Sequence, residues 1–140
     1  MSELVKVRFK YDYSKPNRNN RIYSKQCMED AFNEPGFKEL REHNAVPIMS
    51  DNFNIVGVCK PELSDTEVYG EGVITNLTFA KYISENPDKF AITLAGTGNL
   101  SWNVSNDIAH VNNYRITNCQ IMDRSNCSFD CNRLEVLDED

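Results

Sequence analysis

The alternation in Leu4–Tyr11 constrains the fold of this chain more than any other feature. Val5, Val7, Phe9 and Tyr11 fall on one side of a period of two, with Lys6, Arg8 and Lys10 on the other. Only a strand with one buried and one solvated face accommodates that pattern. The basic side suits either a ligand surface or an edge strand, where lysines discourage pairing with other chains. The strand ends in a polar loop, in which Pro16 stops it and Asn19 and Asn20 tolerate positive φ better than most residues.

Similar short runs recur. Val46–Met49 and Ile55–Lys60 read as two strands around a polar corner at Ser50-Asp51, the second closed by Pro61. Val68–Thr75 reads as a third, whose two glycines imply a bulge or a close backbone approach. Phe90–Ala95 suits a central strand. Beyond Gly96-Thr97-Gly98, the residues Leu100, Trp102 and Val104 alternate as a further strand, and Val111–Met122 reads as a long strand with a bulge before Cys119. Asn126–Leu137 supplies a last short strand or turn, leaving an acidic tail from about residue 134.

Helical spacing occurs in two places. Ser24 is a candidate N-cap for Cys27, Met28, Ala31 and Phe32, with Pro35-Gly36 interrupting before a short resumption over Phe37–His43. Asn76 or Thr78 caps a second region bearing Phe79, Tyr82 and Ile83. At 140 residues the chain is expected to be a single domain, 1–140. The expected class is α+β: a mainly antiparallel, barrel-like domain of about seven strands with two short helical regions.

Composition narrows the function. A net charge of -6 disfavours a nucleic-acid binder, and no apolar run is long enough to span a membrane. The five cysteines, an odd number without a secretory signal, point to reduced thiols in a cytosol. Cys119, Cys127 and Cys131 lack the spacing of a zinc site, so neither metal nor cofactor is expected. Four N-x-[ST] triplets reflect 17 asparagines rather than glycosylation.

Catalytic candidates are few. His43 and His110 are the two histidines, and Thr93, Ser101 and Ser105 are hydroxyls on or beside expected strands. A Ser or Thr nucleophile with a histidine base is chemically possible, because such sites are defined by geometry rather than chain order. His43, in a charged stretch, also reads as a solvated helix end, and Trp102 as either a core or an interface residue.

Three segments resemble the prohead maturation proteases of tailed bacteriophages, which share a fold with the herpesvirus assemblins. NRNNRIYSKQCMEDA, from Asn17, is similar to the family's N-x-N-G-R-x-Y followed by a helix; Asn17, Asn19, Arg21 and Tyr23 match, and Asn20 stands where the glycine does. VPIMSDNFNIVG resembles the family's apolar strand followed by His-Asp, four residues, an apolar residue and Gly, here Val56-Gly57. FAITLAGTG resembles the strand that carries the nucleophilic serine, and YRITNCQIMD a closing strand.

The departures set the functional expectation. Ser50 occupies the histidine position, beside a retained Asp51, and Thr93 occupies the serine position. A serine hydroxyl is no general base near neutral pH. The resemblance therefore implies an inactive protease-like fold serving as a bacteriophage virion structural protein, an auxiliary or decoration protein or a scaffold-associated capsid component. Its expected partners are the major capsid protein or other virion proteins, in many copies, within a virion assembled in the host cytoplasm. Asn17, Arg18, Asn19, Arg21 and Trp102 are the candidate interface residues. The alternatives are an active maturation protease, using Thr93 or Ser101 with His110 or His43, and a phage-encoded inhibitor of host defence.

Overall fold

The computed structural model describes residues 4–103, 105, 107–131 and 134–137. Val104, the last residue of the expected Leu100–Val104 alternation, and the acidic residues 138–140 lie outside them. The fold is mixed α+β, built on one curled sheet. Its strands are β1 (Val5–Asp12), β2 (Arg21–Ile22), β3 (Val46–Met49), β4 (Ile55–Leu63), β5 (Glu67–Ile74), β6 (Phe90–Asn103), β7 (Ile108–Asp123), β8 (Asp130–Cys131) and β9 (Glu135–Leu137), with helices α1 (Lys25–Phe32), α2 (Pro35–Glu42) and α3 (Leu77–Glu85).

The sheet runs β2-β7-β3-β4-β5-β1-β8, with β6 on the other side of β7 and β9 also on β1. Among the described residues six pairings are antiparallel; β2 and β3 both run parallel to β7. The order brings the two ends of the path towards each other. There the buried hydroxyl of Tyr11 on β1 accepts a hydrogen bond from the Leu94 backbone N–H on β6, at 3.2 Å.

The alternation of β1 is realised: Val7, Phe9 and Tyr11 are buried in the core. β1 is not an edge, however. It lies between β5 and the β8 and β9 segments, and its basic face is offset by carboxylates. Arg8 lies 3.6 Å from both Glu71 and Glu135, and Lys10 lies 3.8 Å from Glu67. These exposed pairs add little stability, but they compensate Arg8 and Lys10 on the basic face.

Several boundaries differ from expectation. β4 continues through Pro61, which pairs in register with Gly70. Proline is tolerated there because β3 ends its pairing at Cys59, so the missing N–H lies on an open side of β4. The Pro61 carbonyl accepts instead from Arg41 Nε on α2, at 2.8 Å. Phe90–Ala95 and the Leu100 alternation form one strand, because Gly96 and Gly98 mark register shifts against β7 rather than a turn. One shift falls between Ala95 and Gly96 opposite Thr117, where a bulge was expected.

Helix ends follow their capping chemistry. Ser24 Oγ accepts from Cys27 N at 3.0 Å, and Asn76 Oδ1 from Phe79 N at 2.9 Å. Pro35-Gly36 does not interrupt a helix but begins α2: Glu34 caps it and Pro35 occupies the first turn, where its missing N–H costs nothing.

Gly57 and Gly72 account for the tight curl. A Cβ at Gly57 would lie 2.3 Å from the Val73 carbonyl oxygen, and one at Gly72 2.7 Å from both the Val58 carbonyl oxygen and the Cys59 Cβ. Strands this close leave no room for a side chain. Inside the curl lies a single core cluster, joined by α1–α3 through Met28, Phe37 and Ile83. The expected acidic tail starts later than residue 134, since Leu134 is buried and Glu135–Leu137 pairs with β1. Five free thiols were also expected, but Cys127 and Cys131 form a disulfide; Cys27, Cys59 and Cys119 are free.

Candidate functional site

β7 organises the site. Its residue Gln120 is in register with Met49 at the end of β3 on one side and with Thr93 on β6 on the other. Ser50 and Asp51 follow Met49 directly, so the two positions singled out in the sequence, 50 and 93, flank β7 from opposite sides near the level of Gln120. Gln120 Nε2 donates to Asp51 Oδ1 at 3.3 Å. Ser50 and Thr93 are both buried, at 7% and 4% exposure.

The corner itself is a tight turn. Ser50 N donates to the Asn54 carbonyl, and Phe53 N to the Ser50 carbonyl, both at 2.9 Å. Phe53 adopts a left-handed φ of 61° and is 78% exposed. A bulky side chain is uncommon in that region, and no burial compensates it here. The site therefore contains two hydroxyls, one amide and one carboxylate. Neither hydroxyl, nor the amide, serves as a general base near neutral pH.

The two histidines lie elsewhere. His43 terminates α2 and is exposed, with its backbone N–H bonded to the Glu39 carbonyl at 3.3 Å. His110 is exposed on β7, ten residues from Gln120. At about 3.3 Å per residue, it stands roughly 30 Å along the strand from the Thr93 level. Thr93 and His110 therefore do not meet. Ser101 and His110 do, as directly opposed residues of β6 and β7, and Ser101 Oγ accepts from Asn112 Nδ2 at 2.8 Å. That group is exposed to solvent rather than set in a cleft.

The 17–21 loop is more structural than its polarity suggested. Asn17 Oδ1 accepts from the backbone N–H groups of Asn19 and Arg21 at 2.9 and 3.1 Å. Asn20 adopts φ 58°, the left-handed conformation anticipated for a residue standing in place of glycine. Its carbonyl accepts from Ala109 N on β7, and Arg18 bonds the carbonyls of Ser128 and Ser125. Tyr23 packs against Tyr114 and Phe129 with ring centroids 5.0 and 5.5 Å apart. Of the interface candidates, Arg18, Asn19 and Arg21 are exposed, Asn17 is half-buried, and Trp102 is 59% exposed rather than a core residue.

Two other features bear on chemistry. A groove of about 730 Å³ opens over β1, β4 and β5 around Tyr69, walled by the paired charges described above. Cys59 and Cys119 face each other in the core, Sγ to Sγ 3.5 Å, and that contact together with burial holds the Cys119 thiol well above its ordinary pKa. Among the described residues no cluster of three or more His, Cys, Asp or Glu is placed to hold a metal, and no helix is long and apolar enough to cross a membrane.

Gln120 was missed in the sequence, where His110 drew attention as a chemically recognisable group on the same strand. Only the register of β7 against both β3 and β6 identifies Gln120. No protein-family model, curated protein or solved structure matches this chain.

Proposed function

We propose that this chain is a bacteriophage virion structural protein, an auxiliary or decoration protein or a scaffold-associated capsid component, built on a protease-like fold without protease chemistry. One observation supports it most. The two positions matched to the protease family, 43 residues apart in the sequence, flank β7 on either side of Gln120, and neither carries an imidazole. In a triad, loss of the base alone removes about four or more orders of magnitude in rate. A fold kept without its base is kept for its surface, and the major capsid protein is the partner this reading assigns. The protein then resides in the virion, after assembly in the host cytoplasm.

The test is mass spectrometry of purified virions from the phage that encodes the chain. Stoichiometric amounts agree with a shell component; absence or traces remove the auxiliary or decoration reading.

A second reading has its own observation. Ser101 and His110 are opposed on β6 and β7, with Asn112 bonded to Ser101 Oγ, so an active protease would use these residues rather than Thr93. Co-expression with the capsid protein tests it. Processing that disappears in His110→Ala and in Ser101→Ala would establish this reading and displace the first.

A further inference from the structure

β6 is paired along one side only. β7 accompanies it from Phe90 to Asn103, and among the described residues no strand covers its opposite side. The lower half of that open side is closed by Tyr11, whose hydroxyl takes the Leu94 N–H. From Gly96 to Trp102 every residue is exposed. A strand edge of this length presents a row of unpaired backbone donors and acceptors, and proteins ordinarily blunt such edges with charge, proline or a cover.

Among the described residues this edge from Gly96 to Trp102 has none of those devices. Phe90–Asn106 is 17 residues without Asp, Glu, Lys or Arg, the longest such run in a chain of net charge -6. β1, which is covered, carries Lys6, Arg8 and Lys10, whereas the exposed edge is neutral. Two copies of an acidic protein approach each other with least repulsion along such a surface.

The side chains add a register. Leu100 and Trp102 oppose Val111 and Ala109 on β7, and a Cβ at Gly98 would point at Val111 Cγ1, 2.9 Å away. Gly96, Gly98, Leu100 and Trp102 thus share one face of β6 by the period of two. Leu100 is 38% and Trp102 59% exposed. The face therefore reads glycine, glycine, then two large apolar groups, symmetric in spacing about Asn99.

We propose that this chain self-associates through the open edge of β6, two copies pairing antiparallel about a two-fold axis at Asn99. Trp102 then lies opposite Gly96 of the second copy, and Leu100 opposite Gly98, in both directions. Large side chains cover the backbone where glycines leave it bare, which is how aromatic residues compensate glycine across strands. The contact is isologous and closes at two copies. It is a property of the isolated chain and holds or fails independently of the virion reading.

Sedimentation equilibrium of the purified full-length protein, from micromolar concentrations upward, tests it. The expected species has twice the 16.1 kDa chain mass. Leu100→Lys places charge on the edge and is expected to weaken dimerisation about tenfold or more, with an unchanged far-UV circular dichroism spectrum showing that the fold persists. Asn99→Cys is expected to give a disulfide-linked dimer on mild oxidation, whereas Glu39→Cys, on the exposed side of α2, gives none. A monomeric wild-type protein, or a folded Leu100→Lys variant that dimerises as tightly as wild type, overturns the proposal. A dimer that Asn99→Cys fails to cross-link overturns the stated register.

Discussion

The Tyr11 hydroxyl accepts the Leu94 backbone N–H at 3.2 Å, although 83 residues separate them, and this bond closes the curl where β1 faces β6. Burial holds the Tyr11 hydroxyl far above its ordinary pKa, so it remains neutral throughout the working range. Tyr11→Phe keeps the ring and strands the buried amide. A loss of about 1–3 kcal/mol is expected, measured as a lower urea midpoint at unchanged m-value. No loss would mean that the amide finds another partner.

Two left-handed residues respond in opposite ways. Asn20, at φ 58°, has its carbonyl bonded to Ala109. Asn20→Ala is expected to cost about 1 kcal/mol, and Asn20→Gly much less. Phe53, at φ 61° and mostly exposed, gains nothing from its ring within the chain. Phe53→Asn is expected to raise stability by about 0.5–1 kcal/mol in thermal melts. A destabilised Phe53→Asn variant would show that the ring makes contacts worth more than the strain.

Gly57→Ala sets a methyl group against the Val73 carbonyl oxygen, which the β4–β5 ladder holds in place. The strands must separate, at an expected cost of about 2 kcal/mol or more. Denaturant titration would reveal this. A neutral outcome would mean that the two strands part more easily than their ladder implies.

Acid sensitivity is expected at Asp12. Hydrogen bonds from the Ser14 hydroxyl and backbone N–H lower its pKa below the ordinary carboxylate value. The unfolded chain then binds the proton more readily, so stability rises with pH across that window. The contribution is present above the unfolded value of about 4 and disappears as pH falls through the lower folded value. Asp12→Asn is expected to flatten the dependence of the urea midpoint on pH below about 4. An unchanged slope would assign the effect to other carboxylates, such as Asp123, which Ser125 lowers in the same way.

Thiol labelling should separate the free cysteines. Cys27 is partly exposed, while Cys59 and Cys119 are buried against each other. Mass spectrometry after brief alkylation is expected to show Cys27 modified first, with Cys59 and Cys119 modified only on unfolding. Simultaneous labelling of all three would indicate that the core opens readily.

Much of the fold was legible because local patterns and local chemistry agreed. The period-two run of β1 and the caps at Ser24 and Asn76 needed only neighbouring residues. Pro61 and Pro35 misled because their tolerance depends on what lies alongside: an unpaired side of β4, and a first helical turn with no donor to satisfy. Gly96-Thr97-Gly98 read as a break between two strands, since a sequence does not reveal that β7 runs past it with compensating register shifts. For the candidate site, Ser50 and Thr93 came from the family resemblance, whereas Gln120 emerged only from pairing across the sheet.

That shared dependence on Gln120 has a kinetic meaning. Ser50-Asp51 and Thr93 are far apart in the sequence; they flank Gln120 only when β3 and β6 have both docked on β7. Parallel pairing of β3 with β7 closes a loop of about 70 residues, the kind of step that comes late in folding. The corner therefore belongs to the cooperative unit of the whole sheet. The buried Ser50 amide, bonded to the Asn54 carbonyl, should exchange with deuterium at the rate of the Thr93 and Gln120 amides, set by global opening, while the exposed Asp51 and Asn52 amides exchange faster.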